Sequence, residues 1–199
     1  MYVAALDATS AFDKVVRPLL FEKLVGKLSP ACYRTLAKYY DNLHCVIENG
    51  GSTSGAFKTK YGVKQGGPIS PKLFSIYIED LIRALGSNDR GVKIGPTRVA
   101  VLAYADDILL LSDSEHELKQ MLRICDEFGI KLGIKWNPAK SQIVVVPCGT
   151  IGECKVTGMR IEAVKCIRYL GIELSQRVTN VAYIKDRIAS SMRALFGLK

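Results

Sequence analysis

Two adjacent carboxylates interrupt an apolar stretch near the middle of the chain, VLAYADDILLL at 101–111. The apolar runs on either side, 101–103 and 108–111, predict two buried strands joined by a tight turn at Asp106 and Asp107. Ionised carboxylates are costly to remove from water unless a cation or hydrogen-bond donors compensate them. The stretch therefore predicts a hairpin whose turn faces a partner for two negative charges.

The rest of the chain predicts short strands alternating with amphipathic helices. The predicted strands and hairpins are 2–6, 44–62 with its loop at 49–51, 92–94, 98–104, 107–111, 142–147 and a later hairpin within 155–174. The predicted helices are 18–28, one opened by Ser29-Pro30, 70–85 with Ser70 as its N-cap, 114–129 opened by a capping box at Ser114, and 180–196. This order predicts an α+β fold in which a small antiparallel sheet has helices packed on one face.

The positive charge is concentrated in the last third of the chain. The 199 residues are 48% hydrophobic, enough for a core, and carry a net charge of +9. Residues 131–199 hold 12 Lys and Arg against 4 Asp and Glu, whereas residues 1–130 hold 16 against 15. A basic end beside an acidic centre suits a polyanion such as nucleic acid. Solubility alone is an equally open explanation of this charge.

The six cysteines and two histidines argue against several classes of site. No two cysteines form a CxxC pair, which argues against a zinc site, and two histidines leave little room for a Ser-His-Asp triad. A GxxxxGK[ST] phosphate loop, a secretory signal and an apolar run of membrane length are all lacking. We therefore expect an intracellular protein with reduced thiols and no membrane partner.

Asp7 ends a second apolar strand, YVAAL at 2–6. If this strand neighbours the one that follows Asp107, three carboxylates converge at one edge of the sheet. Like charges at short range destabilise one another, and a hard divalent cation, Mg²⁺ or Mn²⁺, relieves the conflict. Two such ions can clamp the attacking and leaving oxygens of a phosphoryl displacement. The alternative is that the aspartates are ordinary turn residues.

Five motifs, in order, give the chain a resemblance to a known family. LDATSAFD (6–13), QGGPISPKLF (65–74) and YADD (104–107) resemble three motifs of the reverse transcriptases. GIKWNPAKS (133–141) and YLGIEL (169–174) resemble the two motifs that follow in that family. The resemblance covers nearly the whole chain and is greatest to the LINE-type (non-LTR) retrotransposon enzymes. Group II intron maturases are the nearest alternative.

The resemblance implies a polymerase palm with a ferredoxin/RRM-like core over residues 1–175. Its primer-grip hairpin is expected near 155–174, and residues 176–199 are expected to begin a thumb or connecting helix. Fingers and most of a thumb are expected to be absent, so the chain is expected to be an incomplete part of a full-length, nuclear protein.

The implied function is RNA-directed DNA polymerisation. The enzyme would add deoxynucleoside triphosphates to a primer 3′ end on an RNA template, using two Mg²⁺ or Mn²⁺ ions. The alternative is a catalytically inactive palm that binds nucleic acid, including a maturase-type remnant.

The resemblance also assigns roles to the acidic residues and one lysine. Asp7, Asp106 and Asp107 are implied to be the catalytic carboxylates and metal ligands, together with the main-chain carbonyl of Ala8. Lys140 is implied to donate a proton to the leaving pyrophosphate, a role that suits a cationic side chain. A solvated lysine in a turn is the equally weighted alternative.

Five residues are implied to contact the incoming nucleotide. Phe12 would exclude a 2′-hydroxyl, with a plain core aromatic as the alternative. Main-chain N–H groups of Ala11 and Phe12 would bind phosphates, Gln65 would contact the nucleotide, and Gly66 would allow close approach. Ala105 would lie under the primer end.

The remaining implied roles belong to the later motifs and their neighbours. Tyr169, Leu170 and Gly171 would hold the primer strand. Trp136, the single tryptophan, is expected in the core or in a turn rather than stacked on a base. Asp13 is expected to cap the helix that follows it.

Overall fold

The protein is described here from a computed structural model, which covers residues 1–87, 89–177 and 181–196. Its helices are α1 (Arg17–Leu24), α2 (Pro30–Asp41), α3 (Ser70–Tyr77), α4 (Glu79–Leu85), α5 (Glu115–Leu132) and α6 (Val181–Phe196). Its strands are β1 (Tyr2–Leu6), β2 (His44–Cys45), β3 (Glu48–Asn49), β4 (Ser52–Thr53), β5 (Phe57–Lys58), β6 (Val92–Ile94), β7 (Thr97–Val99), β8 (Val101–Tyr104), β9 (Asp107–Ser112), β10 (Gln142–Val145), β11 (Lys155–Val156), β12 (Met159–Arg160), β13 (Glu162–Ala163), β14 (Cys166–Tyr169) and β15 (Ile172–Ser175).

A five-stranded sheet in the order β13-β10-β1-β9-β8 forms the centre of the fold. β1 lies between two antiparallel neighbours: Ala4 pairs with Ile143 of β10 on one side and with Leu110 of β9 on the other. The strands β10, β1, β9 and β8 have the order of a βαββαβ unit. The predicted mixture of helices and antiparallel strands is confirmed, except that the edge strand β13 runs parallel to β10.

The two faces of this sheet are covered differently because successive side chains point to opposite sides. One face packs against α1, α3, α4 and α5, as predicted, and its buried sheet residues include Ala4, Leu6, Ile108, Leu110 and Ile143. The other face carries Val3, Leu109, Leu111 and Val144, which pack with Ile167 of β14. The helices therefore hold the sheet rigid from one side, while the β14–β15 hairpin lies on the other.

The long helix α5 begins where the sequence predicts and ends later. The side chain of Ser114 accepts a hydrogen bond from Glu117 N, but the Glu117 carboxylate accepts from Gly91 N and Ser112 Oγ, so the reciprocal half of the capping box is absent. The predicted end at Gly129 is wrong. The helix continues to Leu132, and Gly133 caps it with a left-handed φ of 66°.

The predicted helix over 70–85 is divided at Ile78 into α3 and α4. The prediction of Ser70 as the N-cap is also wrong, because Ile69 occupies that position. Ser70 is instead buried, and its hydroxyl donates to Lys64 O at 2.6 Å. This bond ties the start of α3 to the loop that carries Gln65 and Gly66.

Other local predictions vary in accuracy. Ser29 caps α2 as expected, and the 44–62 segment forms paired short strands around a turn at 50–51. α1 ends earlier than predicted, since the chain leaves the helix at Val25 and Gly26 takes a φ of 77°.

The 155–174 segment forms two hairpins, β11–β12 and β14–β15, rather than one. Of the helix predicted over 180–196, residue 180 is outside the described residues.

Arg17 joins three separated segments beneath the 44–62 hairpins. The residue is 8% exposed, and its guanidinium donates to Gly62 O at 2.8 Å, Tyr40 O at 3.0 Å and Thr59 O at 2.6 Å. Burial lowers its pKa, and these carbonyls are the partners that compensate its charge. Arg17 therefore fixes the segment that leads into Gln65.

The six cysteines are free thiols, four exposed and two buried. In the parts of the chain that the structure describes, no helix combines the length and the apolar character needed to cross a bilayer.

Candidate active site

Asp7 and Asp107 lie next to each other at the ends of neighbouring strands. The last pair of the β1–β9 ladder is Leu6 with Ile108. Continuing this antiparallel register by one residue places Asp7 opposite Asp107. The convergence predicted from the two apolar strands is therefore present for these two aspartates.

A small cavity joins this pair of aspartates to two later motifs. Its volume is about 210 Å³, and Asp7, Asp107, Lys140, Tyr169 and Leu170 are among its lining residues. Lys140 comes from the turn before β10, whereas Tyr169 and Leu170 come from the turn end of the β14–β15 hairpin. Arg168 and Gln142 also line it, so the cavity combines two carboxylates with two basic groups, one amide and one phenol.

The second aspartate of the motif lies in the turn itself. Tyr104 pairs with Asp107, so Ala105 and Asp106 form a two-residue hairpin turn between β8 and β9. Ala105 adopts a left-handed φ of 55° and packs against the helix-side core. Asp106 is half-buried and is not among the residues lining the cavity.

The negative charges of Asp106 and Asp7 act on Asp107. Burial raises the pKa of Asp107, and the negative charges of Asp106 and then Asp7 raise it further. An all-oxygen, mutually repelling donor set is chemically suited to a hard divalent cation. Among the residues that the structure describes, however, no three His, Cys, Asp or Glu side chains are gathered in a group that could hold a metal ion.

The main chain around Asp7 is held by the segment that contains Lys140. Asp7 O accepts from Asn137 N at 2.8 Å, and Thr9 N donates to Lys135 O at 2.8 Å. These bonds flank an isolated antiparallel bridge between Ala8 and Trp136. On the other side, Asp7 N donates to Ser141 Oγ at 3.2 Å.

Phe12 lies in the loop that follows Asp7, against the helix-side core. Its ring stacks on Phe74 of α3, with centroids 5.1 Å apart and planes inclined at 22°. The ring is half-buried, while Ala11 beside it is buried. Phe12 O also accepts from Val63 N at 2.8 Å, so the loop is fixed to the segment that leads to Gln65.

Gln65 and Gly66 lie outside the cavity of the aspartates. Gln65 Nε2 donates to Asp13 Oδ1 at 2.8 Å and to Oδ2 at 2.9 Å. The prediction that Asp13 caps α1 is wrong, because the N-cap of this helix is Val16. Gly66, with a φ of 70°, lines a separate, mostly apolar groove of about 640 Å³ between α2 and the 64–70 loop.

Tyr169 connects the β14–β15 hairpin to the β8–β9 hairpin, whose turn contains Asp106. Its hydroxyl lies 3.3 Å from both Leu102 O in β8 and Asp107 O in β9. Burial, and next the negative charge of Asp107, raise the pKa of this phenol. Leu170 and Gly171 form the hairpin turn, with left-handed φ values of 47° and 78°.

Comparison with known proteins decides the family. Residues 1–174 match the family described as reverse transcriptase (RNA-dependent DNA polymerase). The chain belongs to the reverse transcriptase family. The match includes the five-stranded sheet, the residues that line the cavity, and the β14–β15 hairpin up to residue 174.

Relatives of this reverse transcriptase chain come from retrotransposons. It is 30% identical over 165 residues to the retrovirus-related Pol polyprotein from type-1 retrotransposable element R2 of Popillia japonica, covering 80% of this chain and 25% of that protein. It is 26% identical over 184 residues to the RNA-directed DNA polymerase from mobile element jockey of Drosophila funebris, covering 87% and 19%. The resemblance to non-LTR retrotransposon enzymes is confirmed, and the chain spans a quarter or less of these relatives.

A solved structure shares the fold of this reverse transcriptase chain. The apo telomerase of Candida tropicalis, truncated from its C-terminal domain, superposes with a TM-score of 0.63 over 87% of this chain and 34% of that one, at 16% identity. At this low identity, the superposition shows only that the two chains share a fold.

The reverse transcriptase fold brings some of the predicted site residues together and separates others. Asp7, Asp107, Lys140, Tyr169 and Leu170 share the cavity. Predicted contacts that do not line it are Ala8, Ala11, Phe12, Gln65, Gly66, Ala105, Asp106 and Gly171. Sequence reasoning missed Ser141 and the bridge at Trp136. The one available signal was a serine directly after Lys140 and before a buried strand.

Proposed function

We propose that residues 1–175 are the palm of an RNA-directed DNA polymerase from a non-LTR retrotransposon. In this proposal the polymerase that contains this palm adds deoxynucleotides to a primer 3′ end on an RNA template. The observation that carries it is the adjacent placement of Asp7 and Asp107 in one cavity with Lys140. The alternative reading of these aspartates as ordinary turn residues does not explain why an ammonium group and a phenol from distant motifs face the same cavity.

The proposed metal ligands are Asp7, Asp106, Asp107 and the carbonyl of Ala8. They would hold two Mg²⁺ or Mn²⁺ ions, whose chemistry is to neutralise phosphate charge and to make the attacking hydroxyl more acidic. Two observations support this assignment: the oxygen-only donor set, and the raised pKa of Asp107, to which burial contributes most and the negative charges of Asp106 and Asp7 contribute further. A bound cation would offset those charges.

The other residues in the proposal bind and orient the substrates. The Lys140 ammonium group would donate a proton to the leaving pyrophosphate. Phe12, held against Phe74, would exclude a ribose 2′-hydroxyl. The remaining proposed nucleotide contacts are Ala11, Gln65, Gly66 and Ala105, and the proposed primer contacts are Tyr169, Leu170 and Gly171.

The proposed nucleic-acid path follows the basic end of the chain. The hairpins near 155–174 would grip the primer, and residues 176–199 would begin a thumb or connecting helix. The net charge of this end, with 12 Lys and Arg against 4 Asp and Glu over 131–199, favours binding to phosphates. Binding of a primer–template should therefore weaken steeply as salt concentration rises.

A primer-extension assay tests the proposal. The purified chain, and a longer protein made from any coding sequence that flanks it in frame, are given RNA template, DNA primer, deoxynucleotides and Mg²⁺. We expect extension from the longer protein, and little from the chain alone, because positioning of the triphosphate can be worth about 7–11 kcal/mol of barrier. Asp107→Asn should abolish extension, whereas Ser112→Ala, at the far end of β9, should not.

The second candidate function is nucleic-acid binding without catalysis. It is favoured by the absence, within the described ranges, of any group of three acidic, His or Cys side chains gathered to hold a metal. Salt-sensitive binding of primer–template by both proteins, unchanged by Asp107→Asn and with no extension from either, would establish this function instead.

A further inference from the structure

The segment 135–141, which we call the brace, holds Asp7 from two sides. Asn137 N donates to Asp7 O at 2.8 Å, and Lys135 O accepts from Thr9 N at 2.8 Å. Ser141 Oγ accepts from Asp7 N at 3.2 Å. Both main-chain polar groups of Asp7 are therefore bound to the brace, which fixes the origin of its side chain.

Ser141 is a polar side chain in a fully buried position. It is 0% exposed, and its hydroxyl accepts from Asp7 N while donating to Asn137 O at 2.8 Å. A buried hydroxyl is costly unless it is hydrogen-bonded. Here one of the two bonds that satisfy it joins Asp7 to the brace, and the other, to Asn137 O, lies within the brace.

Trp136 anchors the brace to α5. The indole is 4% exposed, and its Nε1 donates to Cys125 O at 2.8 Å. A Cβ built at Gly129 would lie 3.0 Å from this Nε1, so the helix accommodates the indole through a glycine. The position of the brace is thereby set by the longest described helix.

Lys140 belongs to the same turn as the residues that hold Asp7. Lys140 N and Ser141 N donate to Asn137 O at 3.2 Å and 2.9 Å, and Ala139 N donates to Asn137 Oδ1 at 3.2 Å. The turn therefore connects the Lys140 main chain to Asp7 through one short hydrogen-bonded unit. Asp7 and Lys140 both line the same cavity.

We propose that Ser141 is a positioning residue that, through the brace, sets the place of Asp7 relative to Lys140. This inference rests on the proposed function, in which the Asp7 carboxylate binds a divalent ion. Side chains that orient a metal ligand without touching the metal commonly change metal affinity by roughly tenfold or more when they are removed.

The experiment compares Ser141→Ala with Ser112→Ala. Ser112 is also 0% exposed and hydrogen-bonded, but it pairs with Tyr2 at the opposite end of β1. Two readouts are taken on the intact chain: hydrogen exchange at the Asp7 amide, and quenching of the single tryptophan by titrated Mn²⁺. Asp7→Asn reports whether Mn²⁺ binds at Asp7.

We expect Ser141→Ala to speed exchange at the Asp7 amide and to weaken Mn²⁺ binding by roughly tenfold. Ser112→Ala should leave both unchanged while losing similar stability towards urea. Mn²⁺ binding that is lost in Asp7→Asn but unchanged in Ser141→Ala would overturn the positioning role and leave the proposed function standing. Mn²⁺ quenching that is equal in the parent and in Asp7→Asn would overturn the proposed metal site, and the positioning role with it.

A second variant covers the case in which Ser141→Ala does not fold. Ser141→Cys keeps nearly the same volume but supplies only a weak hydrogen-bond donor and acceptor. It should show the same two changes as the alanine variant, to a smaller degree. Parent-like exchange and parent-like Mn²⁺ affinity in this folded variant would count against the positioning role.

Discussion

Gln65 directs its amide nitrogen at both carboxylate oxygens of Asp13, at distances of 2.8 and 2.9 Å. A carboxylate only accepts hydrogen bonds, so this contact orients the amide and turns its oxygen away from Asp13. A ligand that contacts Gln65 from the side away from Asp13 therefore meets the amide oxygen, and it must donate a hydrogen bond to that oxygen.

Asp13→Asn should remove this orientation, because an asparagine amide can both donate and accept. We expect KM for deoxynucleotides to rise roughly three- to tenfold, the equivalent of one hydrogen bond, with kcat nearly unchanged. The measurement is steady-state primer extension by the longer protein. Glu22→Gln, at an exposed acid on α1, is the control, and an unchanged KM in Asp13→Asn would argue against a nucleotide contact at Gln65.

Phe12→Ala should relax discrimination between deoxynucleotides and ribonucleotides. The ring stacks on Phe74, and under the proposed assignment its loss opens space where a 2′-hydroxyl would lie. We expect the ratio of kcat/KM values to fall by roughly tenfold or more. Phe21→Ala, which removes another half-buried ring with edge contacts to Tyr33 and Tyr40, should leave the ratio as it was.

Mg²⁺ or Mn²⁺ should raise the thermal midpoint of the chain through the three aspartates. Binding only to the folded state stabilises by about 2.7 kcal/mol when free metal is a hundredfold above Kd. Asp106→Asn should remove most of this rise in thermal denaturation. Asp113→Asn, at an exposed aspartate 3.2 Å from Arg98 Nη1, should respond to metal like the parent; an equal response from Asp106→Asn would contradict the site.

Gly129→Ala should destabilise the protein. Its Cβ would lie 3.0 Å from both Trp136 Nε1 and Ile134 O, so the indole must shift, at a cost of about 1–3 kcal/mol. Gly86→Ala is the matched control, because that Cβ would be 3.5 Å from its nearest neighbour, Ile82 O. The control should be neutral or more stable by up to about 1 kcal/mol. Urea denaturation of both variants measures the difference.

Asp126→Asn should make the protein more stable at neutral pH. Burial raises the pKa of Asp126, although the bond from Thr157 N opposes this shift. A carboxyl whose pKa is higher in the folded state favours folding while protonated, and that contribution is lost as pH rises through the folded pKa. The neutral amide avoids this loss and keeps an acceptor for Thr157 N.

The free energy of unfolding, measured across pH, tests this sign. The advantage of Asp126→Asn should be present at pH 7 and should disappear below the unfolded pKa of Asp, about 3.9. An advantage that is independent of pH would show that the charge of Asp126 is not its source.

Elements set by local chemistry were predictable from the sequence, and those set by distant contacts were not. A short apolar run predicted β1 at its observed bounds, and Ser29-Pro30 and Ser114 predicted two helix starts. Gly129 was predicted to end α5 because glycine commonly does so, but it lies within the helix to admit Trp136.

The candidate site shows the same division. The convergence of Asp7 and Asp107 was predictable on the condition that an apolar strand followed by Asp7 neighbours the apolar strand that Asp107 begins. The bond from Asp7 to Ser141 joins residues 134 positions apart, and no periodicity in the chain indicates it. Gln65 and Asp13 are likewise 52 positions apart. The 59–63 segment, which precedes Gln65, is held near Asp13 by its bonds to Arg17 and to Phe12 O.

The phenol of Tyr169 has a consequence for translocation. It contacts carbonyls on both strands of the β8–β9 hairpin at 3.3 Å, close to the distance beyond which a hydrogen bond is lost. The β14–β15 turn therefore has almost no travel before both contacts break. If this turn grips the primer, then at each base step either the newly paired nucleotide slides past the turn or both of these weak contacts break.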